Sequence, residues 1–276
     1  MTGFADLHIH TSYSDGTLSP QEVVEQAHHG GLSCIAVTDH DVLDGIPACR
    51  EAAEKYGLEV ISGVELSAEE NGKEIHILGY LFDYQNQTFV DRLRQMQDGR
   101  LERMKKMIEK LEGLGIQSVK WEDVVSSCNT KSWGRPHLAM ILKEKGVVSS
   151  FKQAFDRYLA EGAPAYVPKI KQTPQEAIQL IRNAGGIAVL AHPMLTNVDE
   201  LIPSFVRAGL GGLEVYYPYC SENLIYFYEG LARKHSLAVT GGSDAHGDVK
   251  KHTFIGRIKI PYELVEKLKQ AVTIHY

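Results

Sequence analysis

The alternation of short apolar runs with amphipathic helical runs most constrains what this chain can fold into. Seven runs have the length and apolar character of buried strands, at residues 5–9, 33–38, 58–63, 74–80, 187–191, 212–216 and 237–240. Such alternation is typical of a mostly parallel sheet with crossover helices. Ser19-Pro20 and Thr173-Pro174 are start signals for two of these helices, because each pair places an N-cap residue before a proline. The pattern therefore predicts an α/β fold.

The alternation stops between about residues 86 and 163. Apolar residues recur at helical spacing from 90 to 114 with many charged residues between them, and shorter helical patterns follow around 121–126, 137–145 and 151–161. We expect a helical insertion (cap) domain over 86–163, carried by a barrel made of 1–85 and 164–276. A length of 276 residues suits one such barrel.

Composition narrows the class of protein. Hydrophobic residues at 43%, charged residues at 23% and a net charge of -6 fit a globular protein and disfavour broad attraction to nucleic acid or anionic membranes. The cysteines lack a CxxC pair, which argues against a zinc ribbon or disulfide framework; they are Cys34, Cys49, Cys128 and Cys220. With no apolar run of about 18 residues, we expect a cytoplasmic protein without a membrane partner or stable protein partner.

The segment DLHIHTSYSDG, at residues 6–16, places two histidines on one predicted strand. Residues two apart on a strand face the same way, so His8 and His10 can converge on one ion. A pair of hydrogen-bonded core histidines is the alternative interpretation, and this segment alone leaves both open.

Residues of metal-ligand type recur near the ends of the predicted strands. They are His8, His10, Asp15, His40, Glu65, His76, His192, Asp244 and His246. Taken singly, His76 fits a core histidine and Asp15 a turn cap. Because the carboxyl ends of parallel strands converge on one face, six such segments together predict a multinuclear metal centre.

The ordered set HxH with SxDG, TDH, GxE, a later His, AHP and GSDAH resembles the PHP superfamily, named for its polymerase and histidinol phosphatase members. The resemblance implies a distorted, seven-stranded, TIM-like β/α barrel with up to three metals at the strand ends. It implies a first metal held by His8, His10, Glu65 and Asp244, a second held by Glu65, His76 and His192, and a third held by Asp15, His40 and His246. The implied catalytic residues are His8, His10, Glu65, His192, Asp244 and His246.

The expected cofactors are two or three divalent metal ions. Mixed imidazole and carboxylate ligation favours manganese, iron or zinc over a site for magnesium or calcium built from oxygen alone. We expect manganese first, with iron, zinc or magnesium as alternatives. Such ions would activate water and neutralise charge on the phosphoryl oxygens.

The run Gly-Arg-Pro-His-Leu at 134–138 resembles the YciV-like group of the superfamily. Members of that group hydrolyse 3',5'-nucleoside bisphosphates and trim short RNAs from the 5' end. Arg135 has a planar fork suited to two phosphate oxygens, and His137 at a helix start can add a contact. Pairing of Arg135 with a surface carboxylate is the alternative, and Arg100 is a second candidate for phosphate binding.

The sequence thus predicts a metal-dependent phosphoesterase whose substrate is a 3',5'-nucleoside bisphosphate or a short 5'-phosphorylated RNA. A metabolic monoesterase such as histidinol phosphatase shares the metal set but does not need the Arg-Pro-His segment. A noncatalytic PHP binding module is the third hypothesis, disfavoured because all nine ligand positions are filled.

Overall fold

The computed structural model of the chain describes residues 3–127, 133–168, 172–250 and 252–274. Within these ranges eight strands form one sheet in the order β7-β6-β5-β4-β3-β2-β1-β8. The strands are β1 (Phe4–Ile9), β2 (Cys34–Val37), β3 (Glu59–Glu70), β4 (Lys73–Tyr80), β5 (Ile187–Leu190), β6 (Gly212–Tyr216), β7 (Ala238–Gly241) and β8 (Ile260–Pro261). All seven predicted strands are present, and β8 is an added two-residue strand antiparallel to β1. Cys128 and His275 lie outside the described residues.

The segment after β7 returns to β1 and nearly closes the sheet into a barrel. Ile9 forms a parallel bridge with Ala245, and the His10 N–H donates to the Ala245 carbonyl at 3.0 Å. Side chains from β1, β2, β3, β4 and β5 fill the barrel interior, among them Leu7, Ala36, Ile61, Tyr80 and Val189. The predicted α/β barrel is therefore confirmed.

The mostly parallel sheet that the sequence predicts has an exception at β4, which runs antiparallel to both β3 and β5. The cause is a hairpin turn at Asn71-Gly72, where both residues have positive φ, 52° and 79°. Asn-Gly is the residue pair that a two-residue hairpin turn of this kind favours. The turn lengthens β3 to Glu70, so Glu65 lies within the strand, not beyond its end as expected.

Helices cover the outside of the barrel and form the region between β4 and β5. They are α1 (Pro20–His29), α2 (Gly45–Ala53), α3 (Gln87–Gly113), α4 (Trp121–Ser127), α5 (Arg135–Glu144), α6 (Phe151–Ala154), α7 (Pro174–Asn183), α8 (Pro193–Thr196), α9 (Ile202–Arg207), α10 (Glu222–Lys234) and α11 (Tyr262–Ile274). Both predicted helix starts are confirmed, since Ser19 and Thr173 form reciprocal capping boxes with Glu22 and Glu176. No helix in the described ranges is long and apolar enough to cross a membrane.

The region between β4 and β5 has a buried cluster of its own. Its members come from residues 104–165 and include Met104, Leu111, Trp133, Leu138 and Leu159. The expected helix at 151–161 divides into α6 and a π-helical segment at Phe155–Leu159. The boundaries 86–163 for a separate cap domain remain a prediction.

Gly242 lets the segment after β7 approach β1. A Cβ at this position would overlap the Cβ and the backbone nitrogen of His8. We expect Gly242→Ala to reduce the free energy of unfolding by about 1–3 kcal/mol, the usual cost of overpacking. Urea unfolding measures this change.

The control for that variant is Gly230→Ala in α10, where an added Cβ meets no atom within 4 Å. We expect it to be neutral or stabilising by up to about 1 kcal/mol, because alanine favours a helix interior. Equal stability of the two variants would contradict the close approach at Gly242.

Candidate metal centre

Nine side chains converge at the end of the barrel where the parallel strands finish. His8 lies on β1 and His10 directly follows it, while the loops after β1 and β2 contribute Asp15 and His40. The antiparallel pair β3–β4 contributes Glu65 and His76, and the turns after β5 and β7 contribute His192, Asp244 and His246. The structure thus brings together every residue that the sequence predicted for this centre. His28 and His252, which were not predicted for this centre, are exposed and lie outside it.

Glu65 is the common neighbour of five imidazoles. Its Oε2 lies 3.2 Å from His8 Nε2, 3.1 Å from His10 Nε2 and 3.5 Å from His40 Nδ1. Its Oε1 lies 2.7 Å from His76 Nδ1 and 3.1 Å from His192 Nε2. The carboxylate is buried, with 1% of the residue exposed. Because its two oxygens face different sets of histidines, it can contact two ions at once.

Three overlapping groups of donor atoms, each within 4.8 Å, occur among the described residues. They are His8, His10, Glu65 and Asp244; His10, Asp15, His40 and His246; and His40, Glu65 and His76. The first group has the members implied for the first metal, and the second group adds His10 to those implied for the third. The last group holds His40 where the resemblance implies His192.

The donor atoms of the cluster have the chemistry of a metal site. Within the described ranges, buried atoms that form no hydrogen bond include both ring nitrogens of His10, Nδ1 of His40, His76 and His192, and Oδ1 of Asp15, although several of them lie at ion-pair distance from a carboxylate. Buried polar atoms normally have a partner, since an unpaired one costs about 1–3 kcal/mol. A divalent cation would accept the lone pairs of these imidazole nitrogens and neutralise the carboxylates that face them. The residues present therefore fit divalent metals.

Glu214 on β6 orients two of these histidines, and it was not among the residues predicted from the sequence. Its Oε1 lies 2.8 Å from His8 Nδ1, and its Oε2 accepts the His192 backbone N–H at 2.8 Å. Protonation of His8 at Nδ1 leaves the Nε2 lone pair facing Glu65 and Asp244, the arrangement of a metal-ligating histidine held by an outer carboxylate. The available signal was a carboxylate inside the apolar run Gly-Leu-Glu-Val-Tyr.

Further buried groups hold the loops of the centre. The Tyr217 hydroxyl donates to Asp244 Oδ2 at 2.7 Å. Asp39 accepts the Thr11 N–H at 2.8 Å and the Ser14 hydroxyl at 2.6 Å. Asp39 therefore fixes the loop that carries Asp15.

Two cluster residues have left-handed backbone conformations. φ is 28° at His192 and 49° at Asp244, a region that residues with a Cβ rarely occupy. Each follows the end of a barrel strand, and the sharp turn directs its side chain into the cluster. Such strain persists where the surrounding structure fixes it, as the Glu214 contact does for His192.

Electrostatics keeps the carboxylates charged. Burial opposes ionisation, but the surrounding imidazoles outweigh it and hold the pKa of Glu65 and Asp15 well below the usual range. Burial lowers the pKa of His40 to about 3. Burial also opposes protonation of His10 and His76, yet nearby carboxylates raise both pKa values to about 9. A metal that binds these two rings would displace a proton from each.

An arginine-lined trough extends from the cluster towards α3 and α5. One part is lined by Asp15, His40, His76, Arg100 and Arg135, and the adjoining part reaches Arg103 and Tyr166. Ser67 and Glu74 line both parts, and the first part is open to the metal centre through Asp15, His40 and His76.

The two predicted phosphate-binding arginines line this trough and already contact carboxylates. Arg100 Nη2 contacts Asp41 Oδ2 and donates to the Ser67 hydroxyl at 2.8 Å. Arg135 Nη2 lies 3.5 Å from Glu74 Oε2, a long contact at a partly exposed site. Both guanidinium groups retain donors for a ligand, because each has five N–H groups.

His137 is placed differently from the expected phosphate donor. Its Nδ1 accepts the Gly134 N–H at 3.0 Å, which makes Nε2 the donor to the Ser14 carbonyl, also at 3.0 Å. With both nitrogens bonded to the backbone and 6% of the residue exposed, the ring fastens α5 to the loop that carries Asp15.

A mixed α/β barrel with a buried cluster of histidines and carboxylates at one end is the architecture of a metal-dependent hydrolase. The PHP domain model matches residues 6–273. The chain therefore belongs to the PHP family and is a hydrolase acting on phosphoric ester bonds.

Named relatives cover most of this chain. A 3',5'-nucleoside bisphosphate phosphatase of Chromobacterium violaceum is 33% identical over 87% of this chain and 86% of its own length. A 5'-3' exoribonuclease of Haemophilus influenzae is 35% identical over 89% and 91% of the two chains. The chain is thus similar along nearly its whole length to enzymes named for two different activities.

Solved structures share the fold. A candidate metal-dependent phosphoesterase from Bifidobacterium adolescentis has a TM-score of 0.88 and 31% identity, covering 97% of this chain and 96% of its own. An amidohydrolase from C. violaceum, solved with bound sulfate and no metal, has a TM-score of 0.84 and 30% identity over the same shares.

Replacement of Glu214 tests its role in orienting His8 and His192. Gln has one acceptor oxygen, so Glu214→Gln must present an amide N–H to one of the two donors. We expect metal affinity to fall by about 10–100-fold, the usual effect of removing an outer-shell carboxylate. Titration of the metal-free protein with Mn²⁺ measures this.

Glu222→Gln, at an exposed position in the first turn of α10, is the matched control and should leave metal affinity unchanged. Unchanged affinity in Glu214→Gln as well would remove Glu214 from the metal centre.

Proposed function

We propose that this phosphoesterase hydrolyses the 3'-phosphoester of nucleotides that carry a 5'-phosphate. The substrates are 3',5'-nucleoside bisphosphates, such as adenosine 3',5'-bisphosphate, and short 5'-phosphorylated RNA. The observation that carries the proposal is the continuous trough joining the metal cluster to Arg100 and Arg135. A small nucleotide with two phosphates can place one at each end of such a trough.

The same placement accounts for two reactions. In a bisphosphate the 3'-phosphate at the cluster is a monoester, and its hydrolysis releases phosphate. In RNA the corresponding phosphorus joins the first nucleotide to the second, and its hydrolysis releases a 5'-mononucleotide. The names of the C. violaceum and H. influenzae relatives support these two substrate classes.

We assign the nine cluster residues as ligands of two or three divalent ions. His8, His10, Glu65 and Asp244 would hold one ion, Glu65, His76 and His192 a second, and Asp15, His40 and His246 a third, with His40 also near the second. Bound metals supply an activated water and neutralise phosphoryl charge. Manganese, a cytoplasmic location and catalytic roles for these residues belong to the same proposal.

The protein's own groups then position the reaction. Glu214 sets the His8 ring, Tyr217 holds Asp244, and His137 fixes the loop bearing Asp15. The guanidinium groups of Arg100 and Arg135 would bind phosphate oxygens away from the scissile bond, which restricts the substrate to one orientation.

Phosphate release from adenosine 3',5'-bisphosphate tests the activity. We expect release with Mn²⁺, its loss on chelation, and recovery when metal returns. His192→Ala should lower kcat by more than about 100-fold, because outer-shell changes alone cost 10–100-fold. Histidinol phosphate serves as the competing substrate, and its preferential hydrolysis would favour the metabolic monoesterase.

Arg135→Ala tests the trough separately. We expect kcat/KM for the bisphosphate to fall by about 10–100-fold through loss of charge-assisted hydrogen bonds. Arg157→Ala, an exposed position in the same helical region, is the control. If Arg135→Ala retained full kcat/KM while His192→Ala lost activity, the phosphoesterase assignment would stand and the arginine assignment would fail.

A further inference from the structure

A second groove runs between the helical region and the loops that follow β5, β6 and β7. Among the described residues it shares no lining residue with the arginine-lined trough, and its volume is about 930 Å³. That volume is at the upper end of the range for ligand pockets, about 300–1,000 Å³. Apolar and aromatic side chains give this aromatic groove its character, and they are Met140, Phe151, Leu195, Tyr217, Tyr219 and Val249.

The aromatic groove borders the metal cluster. Tyr217 lines the groove, its ring packs edge-on against His192 with ring centres 5.5 Å apart, and its hydroxyl donates to Asp244. A smaller cavity of about 260 Å³ lies between the two regions, because Asp15 of the cluster lines it together with residues of the groove. The residues common to this cavity and the groove are Thr17, Met140, Phe151 and Val249. A chain held at the cluster can therefore extend into the groove.

Tyr219 presents an aromatic ring from a strained turn. The Cys220 N–H donates to the Tyr217 carbonyl at 3.2 Å, which closes a turn with Pro218 and Tyr219 at its centre. At Tyr219 φ is 69°, and a turn position with positive φ normally holds Gly or Asn. The residue is 70% exposed, so burial of its ring does not offset the strain. Strain of this kind is concentrated at positions that bind ligands.

Arg257 covers one face of the Tyr219 ring. Its guanidinium carbon lies 4.9 Å from the ring centre, and its Nη1 contacts the carbonyl of His252, which also lines the groove. Because most of Tyr219 is exposed, the opposite face of the ring is open. An aromatic ring backed by a guanidinium group is a platform on which a nucleic acid base can stack.

The charged groups that line the aromatic groove nearly cancel. Lys143 and His252 are offset by Glu144 and Asp248, and all four are exposed. Solvent weakens the interaction of such exposed charges with a ligand. The groove therefore offers little net attraction for phosphates, and stacking on its aromatic rings would supply the binding.

The proposed reaction on RNA needs a place for the chain beyond the scissile phosphorus. Water adds its oxygen to the phosphorus, the bond from phosphorus to the 3'-oxygen of the first nucleotide breaks, and that oxygen takes up a proton. The phosphate stays on the shortened RNA, whose remaining nucleotides continue from the phosphate through its 5'-oxygen. A nucleoside bisphosphate has only a terminal oxygen at this position. RNA therefore needs a binding region beside the cluster that a bisphosphate does not need.

We propose that the aromatic groove binds the RNA on the 3' side of the scissile phosphate, with a base stacked on Tyr219. This inference rests on the proposed function. A bisphosphate then occupies only the cluster and the trough, whereas RNA also fills the groove. The groove selects single-stranded RNA, because only an unpaired, unstacked base can turn its face to an aromatic ring.

The test compares two substrates of the metal-loaded enzyme, 5'-phosphorylated pentaadenylate and adenosine 3',5'-bisphosphate. The measured quantity is the ratio of kcat/KM for the RNA to kcat/KM for the bisphosphate. We expect Tyr219→Ala to reduce this ratio about 5–100-fold, mainly through KM for the RNA, which is the usual effect of losing one base-stacking contact. Tyr219→Phe keeps the ring and should retain most of the ratio.

Tyr226→Ala provides the matched control, because Tyr226 lies on α10, is 73% exposed and does not line the groove. It should leave the ratio unchanged. An unchanged ratio in Tyr219→Ala would overturn the proposal and leave the groove to another occupant, such as a second copy of the chain or an apolar protein segment. A lower melting temperature in Tyr219→Ala, with equal loss on both substrates, would show a structural role and overturn it as well.

Binding of RNA separates this inference from the proposed function. If the parent protein did not hydrolyse RNA, the proposed function would fail for that substrate, and fluorescence anisotropy with 3'-labelled, 5'-phosphorylated pentaadenylate would still test the groove. Binding by the parent and Tyr226→Ala, weakened about 5-fold or more in Tyr219→Ala, supports the RNA groove. Equal binding by all three proteins, or binding by none, contradicts it.

Discussion

The placement of a fully buried carboxylate among imidazoles is the constraint on which the rest of the structure depends. Glu65 lies within 3.5 Å of five histidine rings that come from β1, β2, β4 and β5 or the turns after them. The free energy cost of burying these groups requires compensation by charge pairing or by metal. Every neighbouring segment is consequently held by specific bonds, and small positional errors would leave buried donors unpaired.

The chain meets this requirement with an outer layer of buried polar groups. Glu214 orients His8 and His192, Tyr217 holds Asp244, and Asp39 fixes the loop before Asp15. The close approach at Gly242 and the left-handed backbone at His192 and Asp244 allow the final turns to reach the cluster. The helical region adds a further restraint, because His137 bonds the carbonyl of Ser14.

Much of the fold and of the cluster could be predicted from the sequence, because both depend on local sequence patterns. The strands and capped helices follow from the periodicity of apolar residues and from the capping residues. The nine cluster positions follow from histidines and carboxylates near the ends of the predicted strands. The reversal at β4 was also encoded locally, in Asn71-Gly72, but the parallel pattern of the other strands obscured it. Glu214 was missed for a different reason. A single carboxylate in an apolar strand does not show in the sequence which groups it will face.

The sequence by itself determined the barrel class, the nine residues that cluster at its end and the presence of a helical region bearing Arg100 and Arg135. These depend on short-range periodicity and on ordered motifs, which a linear chain displays directly. Only the tertiary structure decided which donors share a group, that both ring nitrogens of His137 bond to the backbone, and that Glu214 orients His8 and His192. Burial and hydrogen-bond satisfaction are properties of the folded arrangement, because each depends on residues far apart in the chain.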